Sequence, residues 1–183
     1  RHEVGTSQDQ DDVVYEEIDS TFYTSVGNTR SMDYIEINIS STTSSEVRLL
    51  KANEPLNKPR TFLQREKDHL YSVDHDPADD RFIVESNWDA INFRLLETSL
   101  ENSQDKNLWT ELIPHRDDVL LQAVIPFPDH LVVMERQNGL RQLKILDKNS
   151  NSSKPINFND PSYTAYLAAN PEYNTDRFYF GYS

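Results

Sequence analysis

The chain has 183 residues, of which 36% are hydrophobic, 27% charged and 10% aromatic; it has no cysteine and a formal net charge of −13. That length can bury a real core, the ring content is too high for a disordered chain, and four glycines and nine prolines exclude collagen-like or low-complexity structure. The missing cysteine excludes a disulfide-stapled scaffold, a thiol nucleophile and a thiolate zinc site, while 31 acidic against 18 basic side chains disfavour a nucleic-acid partner. No apolar run approaches the ~20 residues that would span a bilayer, and Arg1-His2-Glu3-Val4 lacks the apolar stretch of a signal peptide. The triplets Asn38-Ile39-Ser40 and Asn151-Ser152-Ser153 therefore read as chance, and the expectation is a cytoplasmic protein with no cofactor and no membrane partner.

Amphipathic helix patterns are nearly absent. Short β-branched and aromatic stretches bounded by Asn, Asp, Ser, Pro or Gly predict strands. In chain order these are Asp12–Glu17, Phe22–Gly27, Asp33–Ile39, Glu46–Lys51, Thr61–Arg65, Leu70–Asp74, Arg81–Glu85 and Phe93–Thr98. They continue as Leu108–Ile113, Leu120–Ile125, His130–Glu135, Arg141–Asp147, Pro155–Phe158, Thr164–Ala169 and Arg177–Gly181. Most alternate apolar with polar, as in Tyr34-Ile35-Glu36-Ile37-Asn38-Ile39.

The predicted strands group in fours, opened by Phe22-Tyr23-Thr24-Ser25-Val26, Leu70-Tyr71-Ser72-Val73, Leu120-Leu121-Gln122-Ala123-Val124 and Thr164-Ala165-Tyr166-Leu167-Ala168. Spacings of roughly 44 to 50 residues suit blades of four antiparallel strands. The expected fold is all-β and part of a β-propeller: the end of one blade in 1–21, whole blades in 22–68, 69–118 and 119–163, and the start of another in 164–183. An open blade face of ~800 Å², about 60% apolar, would forgo roughly 12 kcal/mol, which is comparable with the whole stability of a domain. These residues alone are not expected to make a stable monomer.

Candidate chemistry within the chain is sparse. An α/β-hydrolase nucleophile sits in G-x-S-x-G; Gly5-Thr6-Ser7 meets Asp9 where the second glycine belongs, and Gly181-Tyr182-Ser183 continues an ordinary strand. None of His2, His69, His75, His115 and His130 shows the paired spacing of a helical metal site, so structural hydrogen bonding is expected of them. The run Asp74-His75-Asp76-Pro77-Ala78-Asp79-Asp80 has enough carboxylates for calcium but lacks the glycine and distal glutamate of an EF-hand. It reads as a hairpin turn bent by its Asx and Pro residues. Trp88-Asp89 occurs once, in a turn, and is not evidence for a WD repeat.

Several stretches resemble the propeller of the prolyl oligopeptidase family of serine peptidases, in its oligopeptidase B branch. They are Ser44-Ser45-Glu46-Val47-Arg48-Leu49-Leu50, Arg65-Glu66-Lys67-Asp68-His69-Leu70-Tyr71-Ser72, Trp109-Thr110-Glu111-Leu112-Ile113-Pro114, Leu131-Val132-Val133-Met134-Glu135-Arg136-Gln137-Asn138-Gly139-Leu140, Asn159-Asp160-Pro161-Ser162-Tyr163 and Asn170-Pro171-Glu172. The resemblance runs in order along nearly the whole chain; the polar loops Glu101–Asn107 and Asn149–Ser153 fit least. It implies a two-domain enzyme in which a seven-bladed propeller covers an α/β-hydrolase domain carrying a Ser-Asp-His triad, with short peptides cut after Lys or Arg. The triad and the acidic groups that read the basic residue would lie in that second domain. No catalytic, cofactor or metal residue is therefore expected in this segment, which would be inactive by itself.

In a propeller, the turn leading into a blade and the turn between its second and third strands emerge at one end. That end is expected to gather Asp68, His69, Asn87, Asp89, Asn92, Arg116, Asp117, Asp118, Arg136, Gln137 and Arg141. Mixed charge of this kind suits a wet, separable domain interface, so the expected partners are the hydrolase domain of the same chain and short peptides. The other reading is a propeller or β-sandwich that presents an acidic face to a basic peptide, with no peptidase attached.

Overall fold

The computed structural model describes residues 1–183. Its strands are β1 (Tyr23–Asn28), β2 (Tyr34–Ser40), β3 (Ser45–Lys51), β4 (Arg60–Leu63), β5 (Tyr71–Asp76), β6 (Arg81–Ser86), β7 (Arg94–Thr98), β8 (Thr110–Ile113), β9 (Val119–Pro126), β10 (His130–Gln137), β11 (Leu140–Asp147), β12 (Ser153–Pro155), β13 (Ala165–Leu167) and β14 (Phe180–Tyr182). They form three four-stranded antiparallel sheets, β1-β2-β3-β4, β5-β6-β7-β8 and β9-β10-β11-β12, and a β13-β14 pair. Each sheet is a meander whose first strand lies on the inside, where β5 runs beside β9. This is the propeller arc expected from the repeat.

The two-residue period of each strand decides which neighbour it packs against. In β6, Phe82 and Val84 face the first sheet, where they join Tyr34, Val47, Leu49, Phe62, Leu63, Tyr71 and Trp109. Ile83, between them in sequence, faces the other way and packs with Leu95, Leu121, Leu131, Val133 and Leu146. The core is thus two seams between sheets, and both faces of the second sheet are buried. The ends of the arc lack such cover: Tyr23 and Val26 of β1 are 82% and 74% exposed, and Tyr166, Phe180 and Tyr182 lie open at the other end.

The predicted strand at Asp12–Glu17 does not form. That segment has no ladder partner; Asp12 exchanges backbone hydrogen bonds with Arg1, and at the other end Glu17 Oε2 accepts from Tyr15 Oη at 2.6 Å and pairs with Arg65 Nη1 at 2.8 Å. The guanidinium of Arg48 lies over the Tyr15 ring, and that of Arg65 over Phe22. The β-branched and aromatic run Val13-Val14-Tyr15 marked the strand, but a strand needs a neighbour to share its hydrogen bonds. Elsewhere the differences are at strand ends. Lys106–Leu108 is a 3-10 turn, Ile156–Phe158 fall outside β12, and β13 and β14 each keep only three residues.

Candidate inter-domain face

Within each sheet the first strand starts, and the fourth ends, at the same pole. A chain entering or leaving a run of whole blades therefore does so there. The turns β4–β5, β6–β7, β8–β9 and β10–β11 all emerge at this pole, and these turns together with the adjoining ends of β10 and β11 carry the eleven residues singled out above.

Four of those residues fasten one turn to the next or to a neighbouring strand. His69, 5% exposed, shares a 2.8 Å hydrogen bond between its Nε2 and Ser86 Oγ; burial, aided by Lys106, pushes its imidazole below the usual histidine range. Asn87 Oδ1 accepts from the Leu70 N–H at 2.8 Å while its Nδ2 donates to the Asp68 carbonyl at 3.1 Å. Asn92 Nδ2 donates to the carbonyls of Arg116 and Asp117, and the Asn92 carbonyl accepts from the Leu121 N–H. Gln137 Nε2 donates to Asp118 Oδ2 at 2.8 Å.

The backbone of these turns is unusual. Asp68, Asp89, Phe93 and Asn138 have φ of +60°, +49°, +62° and +51°, a region non-glycine residues adopt only when their surroundings impose it. Asn138-Gly139 is the two-residue turn that matches the twist of a hairpin. Asp68, Asp89, Asp117, Asp118 and Arg136 project into solvent from this frame, while Arg141 is half-buried and its Nε has no partner.

The residue that sequence reasoning missed at this pole is Glu135. It is 2% exposed and receives both Arg116 and Lys144. A signal existed: Glu135 shares its strand face with Leu131 and Val133, and a carboxylate in an apolar register must be paired. The ladder shifts between Met134 and Glu135, which leaves Gln122 as the extra residue of a bulge.

At the opposite pole, the expected hairpin turn is Pro77–Asp80, while Asp74, His75 and Asp76 belong to β5: Asp76 pairs with Arg81 across the β5–β6 ladder, and Asp76 Oδ1 accepts from the Ala78 N–H. His75 is 3% exposed and is held by Ser31 Oγ at 2.9 Å and Asp80 Oδ1 at 3.1 Å, the structural bonding expected of it. Inside the arc, burial raises the carboxyls of Glu36 and Glu85 to about 7, with the nearby Asp74 adding to the effect on Glu36. Glu85 Oε1 accepts from the Val124 N–H of the third sheet at 2.7 Å.

A family profile described as "Prolyl oligopeptidase, N-terminal beta-propeller domain" matches residues 1–183. The chain belongs to that family, as its motifs indicated. It is 35% identical to a dipeptidyl aminopeptidase BI of Pseudoxanthomonas mexicana over 100% of its own length and 25% of that protein. It is 28% identical to protease 2 of Moraxella lacunata over 96% of its length and 24% of that protein. Among solved structures, oligopeptidase B from Trypanosoma brucei, in a closed form with covalently bound antipain, superposes with a TM-score of 0.90 at 27% identity, covering all of this chain and 27% of that one. Oligopeptidase B from Leishmania major has the same fold, with a TM-score of 0.90 at 23% identity. The chain spans about a quarter of the length of these relatives. No helix is long and apolar enough to cross a membrane.

Proposed function

We propose that this chain is the gating part of a serine oligopeptidase: its propeller restricts access to a hydrolase domain of the same polypeptide, so that short peptides reach the nucleophile and folded proteins do not. The observation that carries this reading is the end-to-end family match over residues 1–183, with the 0.90 superposition on an oligopeptidase B holding a covalently bound inhibitor. Chemistry would follow the acyl-enzyme route of a Ser-His-Asp triad in that second domain, and the face built from Asp68 to Arg141 would meet it.

Preference for cutting after Lys or Arg follows from the resemblance to oligopeptidase B. The 35% identity to a dipeptidyl aminopeptidase favours a second reading, removal of N-terminal dipeptides. Purified full-length protein assayed on an Arg-containing fluorogenic peptide with a free or a blocked N-terminus separates the two, since only an endopeptidase cuts the blocked one. Equal activity from residues 1–183 alone would refute the assignment of chemistry to another domain. A stand-alone module for basic peptides predicts binding without turnover of either substrate.

A further inference from the structure

The pole away from the candidate face holds a cleft between the second and third sheets, a cavity of about 300 Å³. Its floor is the apolar seam, with Ile83 and Leu112 from one sheet and Leu131 and Leu146 from the other. Leu112 reaches it because the β7–β8 ladder shifts between Leu95 and Leu96, which leaves that leucine as the extra residue of a bulge. One end of the cleft is the ion pair of Lys148 and Asp76. That pair is fastened on both sides: Tyr173 Oη of the β13–β14 loop donates to Asp76 Oδ1 at 2.6 Å, and Lys148 Nζ donates to the Pro128 carbonyl at 3.2 Å. Arg30 holds the same loop, residues 170–176, through the carbonyls of Asn170 and Glu172.

Two half-buried charges of this cleft are unmatched. Lys148 is matched by Asp76, and Glu111 by Arg94 at 2.6 Å. Arg81 and Glu97 take part in no ion pair and no side-chain hydrogen bond, although both are half-buried and both line the cleft. Arg81 shares its strand face with Ile83, and Glu97 lies opposite Ile83 on β7. Guanidinium and carboxylate are therefore borne by diagonal neighbours on one wall, about 7–8 Å apart at Cα. A half-buried charge without a partner is costly. One of each sign beside an apolar floor matches a molecule of the same composition.

We infer that this cleft binds a short unblocked peptide of about two residues, with its ammonium on Glu97, its carboxylate on Arg81 and an aliphatic side chain over Leu131 and Leu146. The length follows from volume, at the lower end of small-molecule sites, and from reach, since an extended dipeptide spans about 7 Å. Sign disfavours the other ligand classes. A phosphate or other polyanion would meet Glu97 and the exposed Asp79 at the lip, and a lone cation would leave Arg81 unpaired. The cleft lies at the far pole from the candidate face, and its ligand chemistry does not rest on the peptidase reading.

The test is calorimetric titration of the full-length protein with leucyl-leucine, which neither cleavage reading above would shorten, beside its N-acetylated and C-amidated forms. A ligand of this size is expected to saturate one site with Kd on the order of 0.1–1 mM. Blocking either end should weaken binding roughly tenfold or more, because each removes a charge-assisted contact. Arg81→Gln and Glu97→Gln should each do the same to the unblocked peptide while keeping the wild-type urea midpoint, since neither side chain holds another part of the protein. Leu112→Trp fills the cleft, keeps both charges and should abolish binding; should it fail to fold, the two charge variants decide. Absence of saturable binding in the millimolar range overturns the inference. So does binding that Arg81→Gln and Glu97→Gln leave unchanged, which places the peptide elsewhere, and so do blocked peptides that bind as tightly as the free one. A protein that binds leucyl-leucine in this cleft and cleaves no peptide would refute the peptidase reading and uphold the site.

Discussion

At one pole of the arc, amide side chains tie each turn to the next: Asn87 fastens the β6–β7 turn to the start of β5, and Asn92 fastens it to the turn before β9. At the other pole, charged side chains skip neighbours, so that Arg30 reaches carbonyls 96 to 142 residues away. The first arrangement makes a rigid rim with acidic groups facing outward. The second makes a cross-brace whose removal leaves every sheet intact. Rigidity suits a surface that must meet the same partner repeatedly, and a brace of separate polar contacts suits a part that opens.

Measurements on the full-length protein can break this contrast. The largest expected effect is at the rim: Glu135→Ala should cost about 2–4 kcal/mol in urea unfolding, because Arg116 and Lys144 lose a shared buried acceptor. A pH titration of stability comes next. The Glu85 carboxyl rises from its ordinary value of 4.5 to about 7 in the folded chain. The folded state therefore binds the proton more tightly than the unfolded state, and stability is fully present below about pH 4.5 and lost as pH climbs through about 7. This carboxyl should contribute about 3 kcal/mol to the loss, and Glu85→Gln should lessen the slope without abolishing it, because Glu36 is raised to about 7 as well; an unaltered profile would mean the Glu85 carboxyl is not buried as described. Asn92→Ala should cost about 1–2 kcal/mol, since two carbonyls lose their donor, and should loosen the β6–β7 turn without faster exchange in 170–176. Smallest in stability is Arg136→Glu, within about 0.5 kcal/mol for an exposed side chain. Its readout is domain closure in solution scattering and peptide turnover, and unchanged values for both would remove Arg136 from the proposed interface.

Strand positions were legible where apolar and polar side chains alternate with a two-residue period, as in β2, and where a β-branched and aromatic run lies between turn residues, as in β6. The β-branched and aromatic signal misled at Asp12–Glu17, where Val13-Val14-Tyr15 reads as a strand but no ladder partner is present. At the rim, chain topology alone placed the eleven residues at one pole. It did not separate the inward fasteners, such as Asn92, from the outward carboxylates, because that depends on which carbonyls a turn leaves unpaired. Glu135 was readable in principle from its register with Leu131 and Val133. Arg30 was not: its acceptors are backbone carbonyls far along the chain, and backbone carbonyls have no sequence signature. Within the acidic run Asp74–Asp80 a turn was correctly expected and forms at Pro77–Asp80, yet Asp74–Asp76 end a strand and their role as a junction for three other sheets is visible only in three dimensions.

The burial of both faces of β6 has a consequence for how the chain melts. Each apolar seam belongs to two sheets at once, so cooperativity in this molecule is a nearest-neighbour property, as in a one-dimensional stack. The second sheet is coupled on both sides; the first sheet and the β13–β14 pair are each exposed on one. In residues 1–183 taken by themselves, unfolding should therefore advance from the outer sheets toward β5–β8, with the amides of Phe82 to Val84 the last to exchange.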